Sequence, residues 1–308
     1  MIDSLFIKKN MRIKAMKISE GYMPFMGHHT YYRTVGERTD KAPLILMHGG
    51  PGSTHNYFEV LDRVAEEDGR MLVMYDQIGC GNSYVDGRPE LWTAETWVNE
   101  LITLREHLGL DTCHLLGQSW GGMLLLTYIC DYEHSGVKSG ILSSTLPASW
   151  LWGIEQARMI KELPEEYQEA IKKATKTGDY SGDIYQRAEE EYMLRHAAGK
   201  PDPNGPECLL REKRAGRESY VVGWGPNEYT PMGTLKDYDV IDKLKDIKEP
   251  CLVINGGNDL CTPYIAKVMY DNIPNSRWEL FRECRHMCFV EDNDHYVEVL
   301  KEWLNEKD

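Results

Sequence analysis

Cys113-His-Leu-Leu-Gly117-Gln-Ser119-Trp-Gly121-Gly-Met-Leu-Leu-Leu-Thr-Tyr-Ile-Cys130 is the stretch that decides the fold. The apolar run Cys113 to Leu116 is short and nearly unbroken, as a strand buried on both faces of a parallel sheet should be, and Gly122 to Cys130 reads as a helix. Between them lies Gly-x-Ser-x-Gly, in the strand–turn–helix setting that a nucleophile elbow demands. Glycine has a steric task at 117 and 121, where a side chain would collide with the neighbouring strand and helix. The helix N-terminus then favours negative charge developing beside Ser119. The same pattern suits a plain glycine-rich turn with a capping serine, so the reading needs partners elsewhere in the chain.

Working outward, Leu44 to Met47, Met71 to Tyr75, Ser139 to Ser143 and Leu252 to Asn255 repeat the short apolar run. Thr93 to Leu108 opens on a threonine cap, carries Trp97, Leu101, Leu104 and Leu108 at helical spacing, and stops at Gly109. This grammar predicts an α/β fold with a mostly parallel sheet and crossover helices. Ahead of it, Met11 to Val35 reads as a strand pair turning at Gly21-Tyr22, with Met11, Ile13 and Ala15 on one arm and Tyr32 and Thr34 on the other.

From Pro147 the alternation gives way to charged amphipathic stretches, Glu162 to Thr175 and Asp183 to Arg195, and a breaker-rich run from Gly199 to Pro206. Strand grammar resumes at Pro250. The expected organisation is therefore one core from residues 1–146 and 234–308, interrupted by a helical insertion over 147–233.

Composition excludes several classes. The 308 residues carry 35 basic and 49 acidic side chains, and the formal charge of −14 repels phosphate backbones and anionic lipid surfaces. No apolar run reaches the roughly 18 residues a spanning helix needs, and Ile7 to Glu20 has no signal-peptide pattern, so a cytoplasmic protein is expected. The eight cysteines show no CxxC pair or disulfide spacing and read as reduced thiols. Cys284, His286 and Cys288 raise a metal site, but no second cluster completes four ligands.

A serine needs a base and an orienting carboxylate to act as a nucleophile at neutral pH. Asp259, in Asn255-Gly-Gly-Asn-Asp259, stands at the carboxyl end of a strand, where a turn aspartate would also be at home. His286 follows the strand expected at Trp278 to Phe281; His295, in a charged helix, and His48, ahead of the serine, are its competitors. His48-Gly-Gly-Pro-Gly52 directly after a strand suits an oxyanion loop, with a glycine N–H approaching the substrate oxygen, or a simple turn.

These motifs, with Asp76-Gln-Ile-Gly-Cys-Gly-Asn-Ser83, Gly225-Pro-Asn-Glu-Tyr229, Gly256-Gly-Asn-Asp-Leu-Cys-Thr-Pro263 and Cys284-Arg-His286, make the chain resemble the proline iminopeptidases. These are serine aminopeptidases of the α/β-hydrolase fold that include the tricorn-interacting aminopeptidase. The resemblance implies Ser119 as nucleophile, His286 as general base and acid, Asp259 as its partner, and the Gly50 and Trp120 N–H groups as the oxyanion hole. It makes the 147–233 insertion a helical cap whose glutamates bind the substrate's free amine. Glu228 matches that motif, and Glu207 in Gly-Pro-Glu is the second candidate. The chain departs from the pattern at Leu260, where many relatives carry a second amine-binding glutamate, and at Cys284-Arg285 before the histidine.

The implied activity is release of an N-terminal proline or other small apolar residue from a peptide or amino-acid amide, with no cofactor. A small-ester hydrolase or amino-acid amidase is the alternative. The aromatics Trp150, Trp152, Tyr185 and Tyr192 are expected mostly as core of the cap.

Overall fold

The computed structural model describes residues 16–308. Its centre is a single eight-stranded sheet: β1 (Ile18–Phe25), β2 (His28–Val35), β3 (Leu44–Met47), β4 (Leu72–Tyr75), β5 (Cys113–Gln118), β6 (Val137–Ser143), β7 (Cys251–Gly256) and β8 (Ser276–Phe281). The spatial order is β1-β2-β4-β3-β5-β6-β7-β8. The β1–β2 and β2–β4 pairs are antiparallel, and every pair from β4 to β8 is parallel.

The short apolar runs are central strands because successive residues serve two cores. Leu44 and Leu46 join Leu72, Met74, Leu252 and Ile254 on one face, whereas Ile45 and Met47 join Val73, Tyr75, Leu115 and Val253 on the other. Burial on both sides removes the polar alternation of a half-exposed strand.

Around the sheet run α1 (Arg63–Asp68), α2 (Ala94–His107), α3 (Trp120–Asp131), α4 (Ser149–Ile160), α5 (Glu165–Thr177), α6 (Asp183–His196), α7 (Glu207–Leu210), α8 (Arg217–Gly223), α9 (Pro263–Asn272), α10 (Cys288–Glu291) and α11 (Asn293–Lys307). Thr93 caps α2, its Oγ1 accepting from the Thr96 N–H at 3.3 Å, and Gly109 follows the helix at a φ of +59°. Helices α4 to α8 all fall between β6 and β7, so the long polar interval is helical and returns the chain to the same sheet.

The N-terminal hairpin corrects one sequence expectation. Gly21 and Tyr22 lie inside β1, and the turn is at Met26-Gly27, where φ is 48° and 77°. Two consecutive positive φ values suit the twist of a two-residue hairpin. Gly21 is needed for close approach: a Cβ there would lie 2.4 Å from the Tyr32 hydroxyl. Met11, Ile13 and Ala15 lie outside the described residues.

Candidate active site

At the carboxyl end of β5 the chain turns into α3 through Ser119, whose φ of 56° and ψ of −123° lie where non-glycine residues are rare. The surroundings hold that strain. The Ser119 N–H donates to the Ser143 carbonyl at 3.0 Å, and the Ser119 carbonyl accepts from Thr145 Oγ1 at 2.6 Å. A Cβ at Gly117 would meet the Gly121 carbonyl at 2.2 Å, and one at Gly121 would meet that of Met47 at 2.0 Å. The spacing of the glycines thus records how closely β3, β5 and α3 approach one another.

Asp259, 1% exposed, sits in the loop after β7, and its carboxylate accepts from the N–H groups of Gly256 at 3.0 Å and Cys261 at 2.8 Å. Its Oδ1 is 2.6 Å from Nδ1 of His286, which leaves the histidine Nε2 free for proton transfer. Burial of the imidazole disfavours its charged form. The Asp259 charge and hydrogen bond, helped by Glu228, outweigh burial and raise the His286 pKa above its ordinary value.

Ser119 and His286 line one cavity of about 480 Å³ together with Gly50, Glu228, Leu260 and Tyr220. Among the described residues no hydrogen bond joins Ser119 Oγ to His286 Nε2, and such bonds commonly tighten only when substrate is bound. The Gly49 N–H is engaged by the Tyr57 hydroxyl at 2.6 Å. Gly50, at a φ of +116°, is the next amide along the cavity wall, and Trp120 opens α3. Among the described residues neither the Gly50 nor the Trp120 N–H has an internal acceptor.

Burial lifts the Glu228 carboxyl above its ordinary pKa, against the opposing pull of a 2.8 Å hydrogen bond from the Tyr220 hydroxyl and of nearby His286. Its main-chain carbonyl accepts from the indole N–H groups of Trp152 at 2.7 Å and Trp224 at 3.3 Å. Glu207 is not brought to this cavity. It lies on α7, its side chain 73% exposed, paired with Arg211, which also reaches Glu59. The Gly-Pro-Glu match was local, and the i,i+4 arginine turns that carboxylate outward.

The competing histidines are accounted for elsewhere. His48 is fully buried, donates from Nδ1 to the Gly49 carbonyl and accepts the Gln77 N–H at Nε2; burial pushes its pKa down to about 4. His295 stays half exposed beside Asp292. Of the cap aromatics, Trp152, Tyr185 and Tyr192 are buried as expected, whereas Trp150 is 52% exposed because it points off α4 toward Asp239. Sequence reasoning missed Tyr220 and Tyr57 at the cavity and Trp224 behind Glu228; nothing in their local pattern separates them from ordinary core aromatics. Among the described residues no group of three metal-ligating side chains comes together, and no helix is long and apolar enough to cross a membrane.

Residues 42–293 match the family model for the alpha/beta hydrolase fold. The chain is 62% identical over 294 residues to a proline iminopeptidase of Clostridium botulinum, covering 95% of this chain and all of that protein. It is 60% identical, with the same coverage, to a proline iminopeptidase of Clostridioides difficile. Among solved structures it resembles the proline iminopeptidase of Mycobacterium smegmatis, at a TM-score of 0.83 and 31% identity, covering 94% of this chain and 98% of that one. VinJ superposes at a TM-score of 0.86 with 29% identity, covering 94% and 99%.

Proposed function

The chain belongs to the proline iminopeptidases of the α/β-hydrolase fold, and on that premise we propose that it releases the N-terminal residue of short peptides, proline foremost, through an aminoacyl-serine. The observation that carries the proposal is Glu228, a carboxylate fixed by Tyr220 in the cavity that Ser119 and the paired His286–Asp259 share. A substrate ammonium taken from water into that cavity must be paired, or its burial costs several kcal/mol. Anchored on Glu228, it sets the first carbonyl, and no later one, over Ser119. Leu260 gives the wall an apolar surface suited to a small apolar first residue.

In this reading the insertion over 147–233 acts as the cap. Ser119 Oγ attacks the first carbonyl carbon while His286 Nε2 takes its proton, and the Gly50 and Trp120 N–H groups hold the oxyanion. The C–N bond breaks as His286 returns the proton to the leaving amine. Water, deprotonated by His286, then splits the acyl-serine and Ser119 recovers its proton. We place the enzyme in the cytoplasm, where its eight cysteines, all unpaired in the fold, stay reduced.

The test is kcat/KM for free-amine aminoacyl anilides, prolyl and alanyl included, each beside its N-acetylated counterpart, with a short-chain ester as control. The proposal expects the free-amine prolyl substrate to lead by more than about tenfold, roughly 1.4 kcal/mol. If the ester or blocked substrates lead, the protein is an esterase or amidase instead. Loss of all turnover in Ser119→Ala checks the nucleophile.

A further inference from the structure

The segment Arg211-Glu-Lys-Arg-Ala-Gly-Arg217 carries four cations in a protein whose net charge is −14, and its last three residues line the catalytic cavity. It is fixed there by its main chain. The Gly216 N–H donates to the Gly52 carbonyl at 2.8 Å, and the Arg214 carbonyl accepts from the Gly81 N–H at 2.8 Å, so the segment is tied to the loop that carries Gly50.

Its cations differ in what occupies them. Arg211 pairs with Glu59 and Glu207, Lys213 stands over the Tyr57 ring at 5.7 Å, and Arg214 stacks on Tyr84 at 3.4 Å. Arg217 lines the cavity with Ser119 and Glu228, and among the described residues no carboxylate pairs with it. Glu228 lines the same cavity and Asp259 lies behind His286, and the field of these two acidic groups opposes entry of a negative charge on the substrate.

We infer that Arg217 is a subsite for the free carboxylate of the leaving group, making dipeptides and other very short peptides with an unblocked C-terminus the preferred substrate class. This rests on the aminopeptidase reading above. In a dipeptide the carboxylate is separated from the scissile carbonyl only by the nitrogen and one α-carbon, so a substrate held by its amine at Glu228 carries its carboxylate within the same cavity. Opposite charges at its two ends then meet a carboxylate and a guanidinium, and an amide or anilide lacks the second contact. A longer peptide takes its carboxylate past the cavity and loses the contact too.

The experiment compares kcat/KM for prolyl-alanine with that for its C-terminal amide, in the wild-type protein, Arg217→Gln and Arg217→Lys, with prolyl anilide run alongside in the wild type. The expected wild-type preference for the free acid is about fivefold, the scale of a partly exposed ion pair, and it shrinks as salt is raised. Arg217→Gln brings the acid-to-amide ratio to near unity, and Arg217→Lys keeps most of it. A wild-type ratio at or below unity overturns the inference, as does a ratio that Arg217→Gln leaves unchanged or that both variants lose. If the anilide, the dipeptide and its amide all resist hydrolysis, it is the aminopeptidase reading that fails; an anilide that turns over without any acid preference removes only the carboxylate subsite.

Discussion

The indole N–H of Trp152 donates to the main-chain carbonyl of Glu228 at 2.7 Å, while the same ring meets His286 edge-on with centroids 6.2 Å apart. One buried side chain on α4 thus spans the amine-binding candidate and the general-base candidate. Trp152→Phe keeps an aromatic against His286 and deletes the hydrogen bond, worth about 1 kcal/mol. The expected result is a KM for free-amine substrates raised about fivefold with kcat held within about twofold. A fall in kcat at constant KM would assign Trp152 to the chemistry instead.

Replacing the anchor itself has a larger consequence. Glu228→Gln leaves a substrate ammonium unpaired in the cavity, and breaking a buried pair costs about 3–5 kcal/mol. The ratio of free-amine to N-acetylated anilide turnover should therefore fall by about 100-fold or more. A ratio that stays at the wild-type value would show that the ammonium is bound elsewhere.

The acid limb of the pH–rate profile follows from His286. In the proposed mechanism its neutral form is the base, and Asp259 and Glu228 raise its pKa above the ordinary imidazole value, so kcat/KM should fall as pH drops through a midpoint above about 6.5. In Asp259→Asn burial acts on the imidazole without that neighbouring charge, so the midpoint moves to lower pH, and kcat falls by about 10³–10⁴-fold as the histidine loses its orienting partner. A midpoint that moves upward would contradict the electrostatic assignment.

His55 makes a prediction about stability rather than turnover. It is buried, with Nδ1 2.7 Å from Asp76 and Nε2 3.5 Å from Glu59. Burial disfavours its charge, but the hydrogen bonds and charges of the two carboxylates prevail and bring its pKa to about 9. A folded-state value above the unfolded one stabilises fully below about pH 6.5 and loses that contribution as pH rises through about 9. In urea unfolding at pH 6, His55→Gln should cost about 2–4 kcal/mol, and the deficit should narrow between pH 7 and 9.5. A deficit independent of pH would mean that packing alone explains the loss.

Much of the site was legible in the linear chain because its constraints are local. Gly117 is required by Gly121 within the same turn, and Asp259 accepts from Gly256 and Cys261 within its own loop. The central strands announced themselves because burial on both faces forbids polar alternation in a run of four to seven residues. The hairpin turn was misplaced because Gly21 looks like a turn residue when its sequence neighbours are read alone. The reason for the glycine is Tyr32, packed across from it on the next strand.

The sequence by itself therefore indicated the central parallel strands and the elbow, and offered a serine, a histidine and an aspartate as candidates for acyl transfer. The motifs only ranked Glu228 ahead of Glu207, and tertiary structure parted them: each follows a proline by one or two residues, yet one faces Tyr220 in the cavity and the other is drawn into solvent by Arg211. It likewise left Arg217 without a carboxylate in a segment whose other cations are occupied. Backbone sterics leave a mark in the residue type itself, because a position with no room for a Cβ must be glycine. Desolvation and ion pairing depend on which distant segments fold against a side chain, and no local pattern records them.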